Sequence, residues 1–393
     1  MSTEKLVLTD VENQIWHNSI VLPSTSRELT GNLGQCSISK QTFQGGRAAG
    51  VDLVEIDNGH LSISVLPTRG MGIWKVKAGD TEFGWSSPVK QPVNPAFVNL
   101  QERDGLGWLS GFNELMCRCG LAWHGAPEKD PETGEFRTLH GRIANLPVHY
   151  LEAETSNEGE GFLKLTGLIE EAMLFWPAFE LESSLTTIPG SNSFTIQDKI
   201  INKGGTPQQF EILYHTNFGT PLLEQGSRLV MTHEELSPRD DWAGEELDRW
   251  ADYIAPEPGR AEQCYFMRPG ADSEGKARAL LRNSKGTLAA GMEWNVKELP
   301  WFTQWKNEQS IADGYCTGLE PGTSFPNPNS FEREQGRLIT LQPGASWDIS
   351  LTLSFYTSQE EISKAEHLIT STQEHIMPKI HTAPLPFHSS AAK

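Results

Sequence analysis

Two imidazoles and one carboxylate have the chemistry of a proton-transfer site: His140 in Leu139-His140-Gly141-Arg142, His215 in Tyr214-His215-Thr216-Asn217-Phe218, and Glu320 in Gly318-Leu319-Glu320-Pro321. Imidazole is the usual reversible acid near neutral pH. A glutamate at a strand end in a partly apolar setting has its pKa lifted toward the range where it can both take and return a proton. The separations of 75 (215 − 140) and 105 (320 − 215) residues rule out a local metal loop and suit the concave face of a wide sheet. A structural histidine at a strand end and a rim glutamate are the plainer alternatives.

Neighbouring residues extend this set. Asn217 lies two positions after His215, so on an extended strand both share a face and could address one polar ligand. Arg142 offers a planar fork of donors to hydroxyls or a carboxylate. Arg69, in Leu66-Pro67-Thr68-Arg69-Gly70-Met71-Gly72, and Arg118, between Cys117 and Cys119, sit among small and apolar residues. A long cation there is costly without a partner or a ligand, and both are expected to line the cleft. Cys117 and Cys119 fall on one side of a strand, but a zinc site needs two further ligands, so they read as apolar filler.

The elements that must position these groups are strands. Runs of alternating residues at 51–56 and 61–66 flank Asp57-Asn58-Gly59, a hairpin signature. Further runs at 162–171, 179–187, 193–202, 209–215, 228–232, 287–295, 315–319 and 349–356 predict an antiparallel architecture longer than a simple sandwich. Ser358-Gln359-Glu360-Glu361 reads as a capping box opening a helix whose apolar face, Ile362, Ala365, Leu368 and Ile369, packs on the sheet exterior. Residues 90–104 and 234–260 read as long loops. After Met377 a Pro-rich tail is expected to be an extended arm or a disordered end, its His381 and His388 incidental.

Composition narrows the function classes. An apolar share of 37% with 21% charged residues is globular. The net charge of −19 argues against nucleic acid, which needs clustered Lys and Arg. No apolar run approaches the roughly 20 residues that span a bilayer, and Met1-Ser2-Thr3-Glu4-Lys5 leads into no signal-peptide core, so a cytoplasmic protein is expected. Five cysteines cannot all pair internally and read as free thiols. Twelve tryptophans are available for core filling or for lining a cleft.

The order of these segments resembles the galactose mutarotase (aldose 1-epimerase) superfamily, in a divergent branch, over residues 45–356. The family's histidine-glycine pair corresponds to His140-Gly141, its acid histidine in a His-x-x-Phe segment to His215 with Phe218, and its base glutamate to Glu320. Leu299-Pro300-Trp301-Phe302-Thr303-Gln304-Trp305-Lys306 is similar to the strand preceding that glutamate. Trp305 could stack on a sugar face and Lys306 meet a charged substituent; core packing and solvent exposure are the alternatives. The family's Gly-Arg-x-x-Asn-Arg segment is reduced here to Arg118, and its sugar-holding aspartate has no single counterpart among Asp240, Asp241 and Asp313.

The resemblance implies an all-β, mostly antiparallel β supersandwich with few peripheral helices. A single domain would span 1–377, with 1–44 as peripheral strands and loops and 378–393 as the tail. It implies an enzyme that interconverts the anomers of a free aldose, with Glu320 as base, His215 as acid, His140 and an arginine orienting oxygen atoms, and neither metal nor organic cofactor. A sugar-binding or regulatory module without turnover is a second reading. A metal-dependent sugar isomerase holding its ion on His140, His215 and Glu320 is a third. The expected partner is a small sugar, anionic sugars included, with no nucleic acid, no membrane, and a monomeric or homodimeric chain.

Overall fold

Alternation with period 2 decides the architecture. Along Phe162–Ala172, Leu163, Leu165 and Ile169 are buried while Lys164, Thr166 and Glu170 turn outward. Burying each Leu or Ile stabilises by roughly 1.5–3 kcal/mol, and a one-residue slip would expose the whole set, so the register is strongly held. The structure, a computed structural model, describes residues 3–23 and 36–392. Residues 24–35 of the expected N-terminal periphery lie outside the described residues.

Among the described residues the strands gather into a ten-stranded sheet, a fourteen-stranded sheet and a two-stranded ribbon, paired antiparallel apart from short parallel contacts of Glu235 and Leu236 with Lys379 and Ile380 and of Gly120 with Gly141. The two sheets pack face to face. Leu165, Leu181, Ile196 and Leu351 of the first meet Ile56, Ile63, Ile212 and Tyr214 of the second in one apolar core. The hairpin at Asp57-Asn58-Gly59 forms as expected, pairing Asp52–Asp57 with Leu61–Leu66. Asn58 stitches it to the other sheet through Thr187, Ile188 and Ser191. This is the β supersandwich that the resemblance implied.

Several local expectations change. The helix Gln359–Gln373 packs Ile362 and Ile369 on the ten-stranded sheet, but the Ser358 side chain makes no capping hydrogen bond. Part of the expected 234–260 loop is the strand His233–Pro238, followed by a short helix, Asp241–Glu245, capped by Asp240. The tail is docked rather than disordered. Lys379–Ile380 pairs with Glu235 and Leu236, His381 meets Glu235 at 2.7 Å, and the buried His388 bonds Ser237 at 2.9 Å.

The outer face of the fourteen-stranded sheet holds the chemistry. On Gln208–Phe218, Ile212 and Tyr214 point to the intersheet core, whereas Leu213 faces a second cluster with Trp108, Phe112, Cys117 and Cys119. By the same alternation His215 and Asn217 belong to that outer face.

Candidate active site

Three adjacent strands, Gln208–Phe218, Cys316–Gly322 and Trp301–Asn307, carry the principal groups. Glu320 does not end its strand, as the sequence suggested. The strand continues through Pro321 to Gly322, pairing Pro321 with Phe302. Interior placement fixes the carboxylate more firmly than a loop would. His215 Nε2 lies 3.2 Å from Glu320 Oε1. Gly318, on the same face, leaves the room for this approach: a Cβ there would stand 2.2 Å from Glu320 Oε1 and 3.1 Å from His215 Cε1.

The imidazoles are oriented from behind. Asn217 Nδ2 donates to the backbone oxygens of Glu114 and His215, which fixes the amide so that its Oδ1 accepts from His215 Nδ1 at 2.7 Å. The Nε2 of neutral His215 is then a lone-pair acceptor aimed at Glu320. Asn217 therefore addresses the histidine rather than a ligand. His140 Nδ1 likewise donates to the backbone oxygen of His124 at 2.9 Å. His140 is held at φ +59°, a conformation costly for a residue with a side chain, and the following Gly141 at +69°. Gly141 is required there, because a Cβ would strike the oxygens of Trp123 and Gly120 at 2.2 and 2.3 Å.

These groups open on a cavity of about 630 Å3 lined by His140, His215, Glu320 and Trp305, with Trp85, Trp108 and Phe112 as aromatic walls. The rings of His140 and His215 are 5.4 Å apart, and Trp305 stands 5.6 Å from His215. Three buried polar atoms on the wall, Trp108 Nε1, Thr303 Oγ1 and Glu320 Oε1, have no hydrogen-bond partner among the described residues. Buried polar groups are rarely left so, and this combination of flat apolar faces and unpaired donors and acceptors suits a ring bearing hydroxyls.

Burial sets the protonation of the pair. It pushes the Glu320 carboxyl well above the usual carboxylate range, helped by the Glu262 charge and opposed by Arg239. It pulls His215 down to about 3, with His140 adding to the effect, and His140 itself to about 4. Both shifts disfavour the separated ion pair and favour a neutral His215 beside a protonated Glu320.

The remaining expected site residues are placed elsewhere. Arg118 faces the intersheet core, where Asp198 takes two of its donors at 2.5 and 2.9 Å and Ser183, Gly70 and Met71 take the others. Arg69 is buried against Glu114, Asn145 and the backbone oxygens of Val93 and Gly111, so it clamps the segment bearing Phe112 without lining the cavity. Lys306 follows Trp305 on the strand and points to the opposite face. Its Nζ donates to the backbone oxygens of Arg249 and Asp252, and burial lowers its pKa to about 8. Arg142 lines a different cavity.

Two residues on the wall carry no signal in the sequence. Arg239 and Glu262 pair at 2.9 Å, and Glu262 accepts from Trp305 Nε1 at 2.7 Å. Arg239 lay within a stretch read as loop; Glu262 sits in irregular chain with no local signal. Among the described residues Arg239 is the one Lys or Arg side chain on this wall, and it is already paired with Glu262 and Asp240. The three-ligand metal reading fares poorly in the geometry. Among the described residues, the group of three whose ligand atoms lie within 4.8 Å of one another is His149, Glu170 and Glu180, not His140, His215 and Glu320.

Comparison with known proteins agrees with this architecture. A family described as Domain of unknown function (DUF4432) matches residues 48–355. A crystal structure of a "putative aldose 1-epimerase" from Klebsiella pneumoniae is 34% identical, with a TM-score of 0.92 over 98% of this chain and 99% of that one. A galactose mutarotase-like protein from Clostridium acetobutylicum (13% identity, TM-score 0.55, 86% of this chain and 99% of that one) shares the fold. So does a galactose mutarotase related enzyme from Lactobacillus acidophilus (12%, 0.51, 78% and 98%). No curated protein matches the chain. No helix among the described residues is long and apolar enough to cross a membrane.

Proposed function

Because the chain belongs to the DUF4432 family, within the galactose mutarotase-like superfamily, we propose that it interconverts the anomers of a free aldose by proton transfer at Glu320 and His215. Opening a cyclic hemiacetal requires the anomeric hydroxyl to lose a proton while the ring oxygen gains one. Both oxygens are bonded to the same carbon, so an acid and a base side by side can serve both. The observation that carries the reading is the 3.2 Å approach of His215 Nε2 to Glu320 Oε1 on the wall of an aromatic-lined cavity.

One proton shared by the pair suits a reversible reaction. With the proton on His215, the Glu320 carboxylate takes the hydroxyl proton and the imidazolium gives its own to the ring oxygen. With it on Glu320, the roles exchange, as reclosure to the opposite anomer requires. Asn217 keeps His215 in the tautomer that presents Nε2, and His140 adds a second imidazole to the wall. Trp305 offers a flat face to the ring. With Glu262, Asp313 and Glu320 on the wall and Arg239 already paired, the lining favours an uncharged sugar over an anionic one.

Anomer exchange followed by saturation-transfer NMR over a panel of neutral and acidic aldoses tests this. The wild-type chain should accelerate exchange of at least one sugar, and His215→Asn should slow it by about 10² to 10⁴, the usual share of one acid–base group. A wild-type chain that broadens sugar resonances without exchanging them would be a binding module instead.

A further inference from the structure

Residues 173–176 join two central strands of the ten-stranded sheet, Phe162–Ala172 and Ala178–Thr187. The flanking connections of this sheet are turn-formers and polar residues, Asn157-Glu158-Gly159-Glu160-Gly161 and Ile188-Pro189-Gly190-Ser191-Asn192. This one reads Met173-Leu174-Phe175-Trp176, with exposures of 49%, 77%, 95% and 43%. Four consecutive exposed apolar residues at a hairpin tip are an interaction surface by their physics, since a loop has every reason to be polar. Phe175 is moreover held at φ +70°, a conformation bulky residues take only under constraint, and one that here leaves its ring almost wholly in water.

Beside this tip opens a cavity of about 930 Å3, with Met173 and Trp176 on its rim and Trp123 and Phe136 on its wall. Arg142 also lines it, its charge acting on the neighbouring Glu171 carboxyl, and its guanidinium makes no hydrogen bond with a described residue. A projecting apolar tip adjacent to a hollow that has aromatic walls among polar and charged residues can pair with its own copy: a two-fold axis between them sets each tip opposite the other copy's hollow. The cavity is far larger than a leucine and a phenylalanine side chain together. A net charge of −19 disfavours an anionic bilayer or a nucleic acid as the occupant.

We propose that this face joins two copies of the chain about a two-fold axis, Leu174 and Phe175 of each entering the cavity of the other, with the Phe175 ring laid against the Arg142 guanidinium. The contact itself is apolar and cation–π in character. The like charges of the two copies oppose it from outside, so screening by salt strengthens the association.

Sedimentation velocity of the full chain at micromolar concentration tests this. The expected species has twice the monomer mass and becomes more populated from low to physiological salt. Leu174→Asp and Phe175→Asp should each weaken association about thirtyfold or more, as loss of an interface hot spot does. Met377→Asp, at a site 94% exposed and outside this face, should leave it unchanged. Unchanged urea midpoints would show that the tip variants still fold. The proposal is overturned by a wild-type chain that stays monomeric in both salts, by a dimer that survives both aspartates, or by a monomer whose tip instead carries it onto phosphatidylcholine vesicles in flotation.

Discussion

Two buried acid–base pairs lie within a few strands of each other and are built on opposite plans. Arg118 and Asp198, between the sheets, are saturated: every guanidinium donor has an acceptor, and the carboxylate also receives the Tyr214 hydroxyl at 2.7 Å. His215 and Glu320, on the outer face, are under-satisfied. Their mutual 3.2 Å approach falls outside hydrogen-bond alignment, and Glu320 Oε1 has no hydrogen-bond partner among the described residues. A saturated pair holds a fold together and has nothing left to offer a ligand. An unsaturated pair at a cavity wall can transfer a proton.

The contrast breaks most visibly in stability at the intersheet pair. Arg118→Met strands a buried Asp198 carboxylate and should lower stability by about 3–5 kcal/mol. The urea midpoint reads this loss, and adding Asp198→Asn should restore part of it. A midpoint that Arg118→Met leaves unmoved would end the structural role given to this arginine.

Acid should act mainly on the other region. His124 and His140 are pulled down to about 4 and His215 to about 3, burial being the first cause in each. Folded, each binds its proton more weakly than unfolded. Its contribution is therefore complete above the unfolded value near 6.5 and is lost as pH falls toward 4 and 3. Glu320, raised by burial, has the opposite sign: its contribution is complete at low pH and is lost as pH rises through its folded value. The histidines should impose a slope of up to about 1.4 kcal/mol per pH unit for each group. His215→Asn should make that slope shallower by one group's share, and a urea midpoint flat from neutral to acid pH would contradict the burial argument.

Smaller changes sharpen the distinction between holding and reacting. Gly318→Ala drives a methyl against the far end of the Glu320 side chain rather than against backbone, so the carboxylate is displaced and the fold tolerates it. Exchange should slow by about 10²-fold, the effect of an ångström of misplacement, with little change in midpoint. Asn217→Ala removes one hydrogen bond from His215 and should slow exchange by about fivefold to tenfold. A larger loss for Asn217→Ala than for Gly318→Ala would reverse the assignment of which contact matters.

Which pair a residue joins was only half legible in the sequence. His215 with Asn217 could be placed on one face because positions two apart must share it, and the hairpin at Asn58-Gly59 announced itself by turn chemistry. Arg118 and Lys306 were assigned to the cleft wrongly for a common reason. Met116–Leu121 is buried on both faces, and on Trp301–Asn307 the polar Gln304 and Lys306 take the buried face while Trp301 and Trp305 take the partly open one, so no polar side marks which way an odd or even position points. The neighbours Cys117, Cys119 and Trp305 took the cleft face, and the cations took the other. Lys276–Arg282 is built of helix-formers, Lys-Ala-Arg-Ala-Leu-Leu-Arg, and is a strand only because the sheet pairs it on both edges.

The most direct test is Glu320→Gln, with anomer exchange and urea unfolding measured on the same preparation. An unsaturated, reactive pair predicts that exchange falls by about 10² to 10⁴ while the midpoint holds or rises, because a buried ionisable group has been replaced by a neutral isostere. Full exchange together with a lowered midpoint would make His215 and Glu320 a structural pair like Arg118 and Asp198, and would contradict the account.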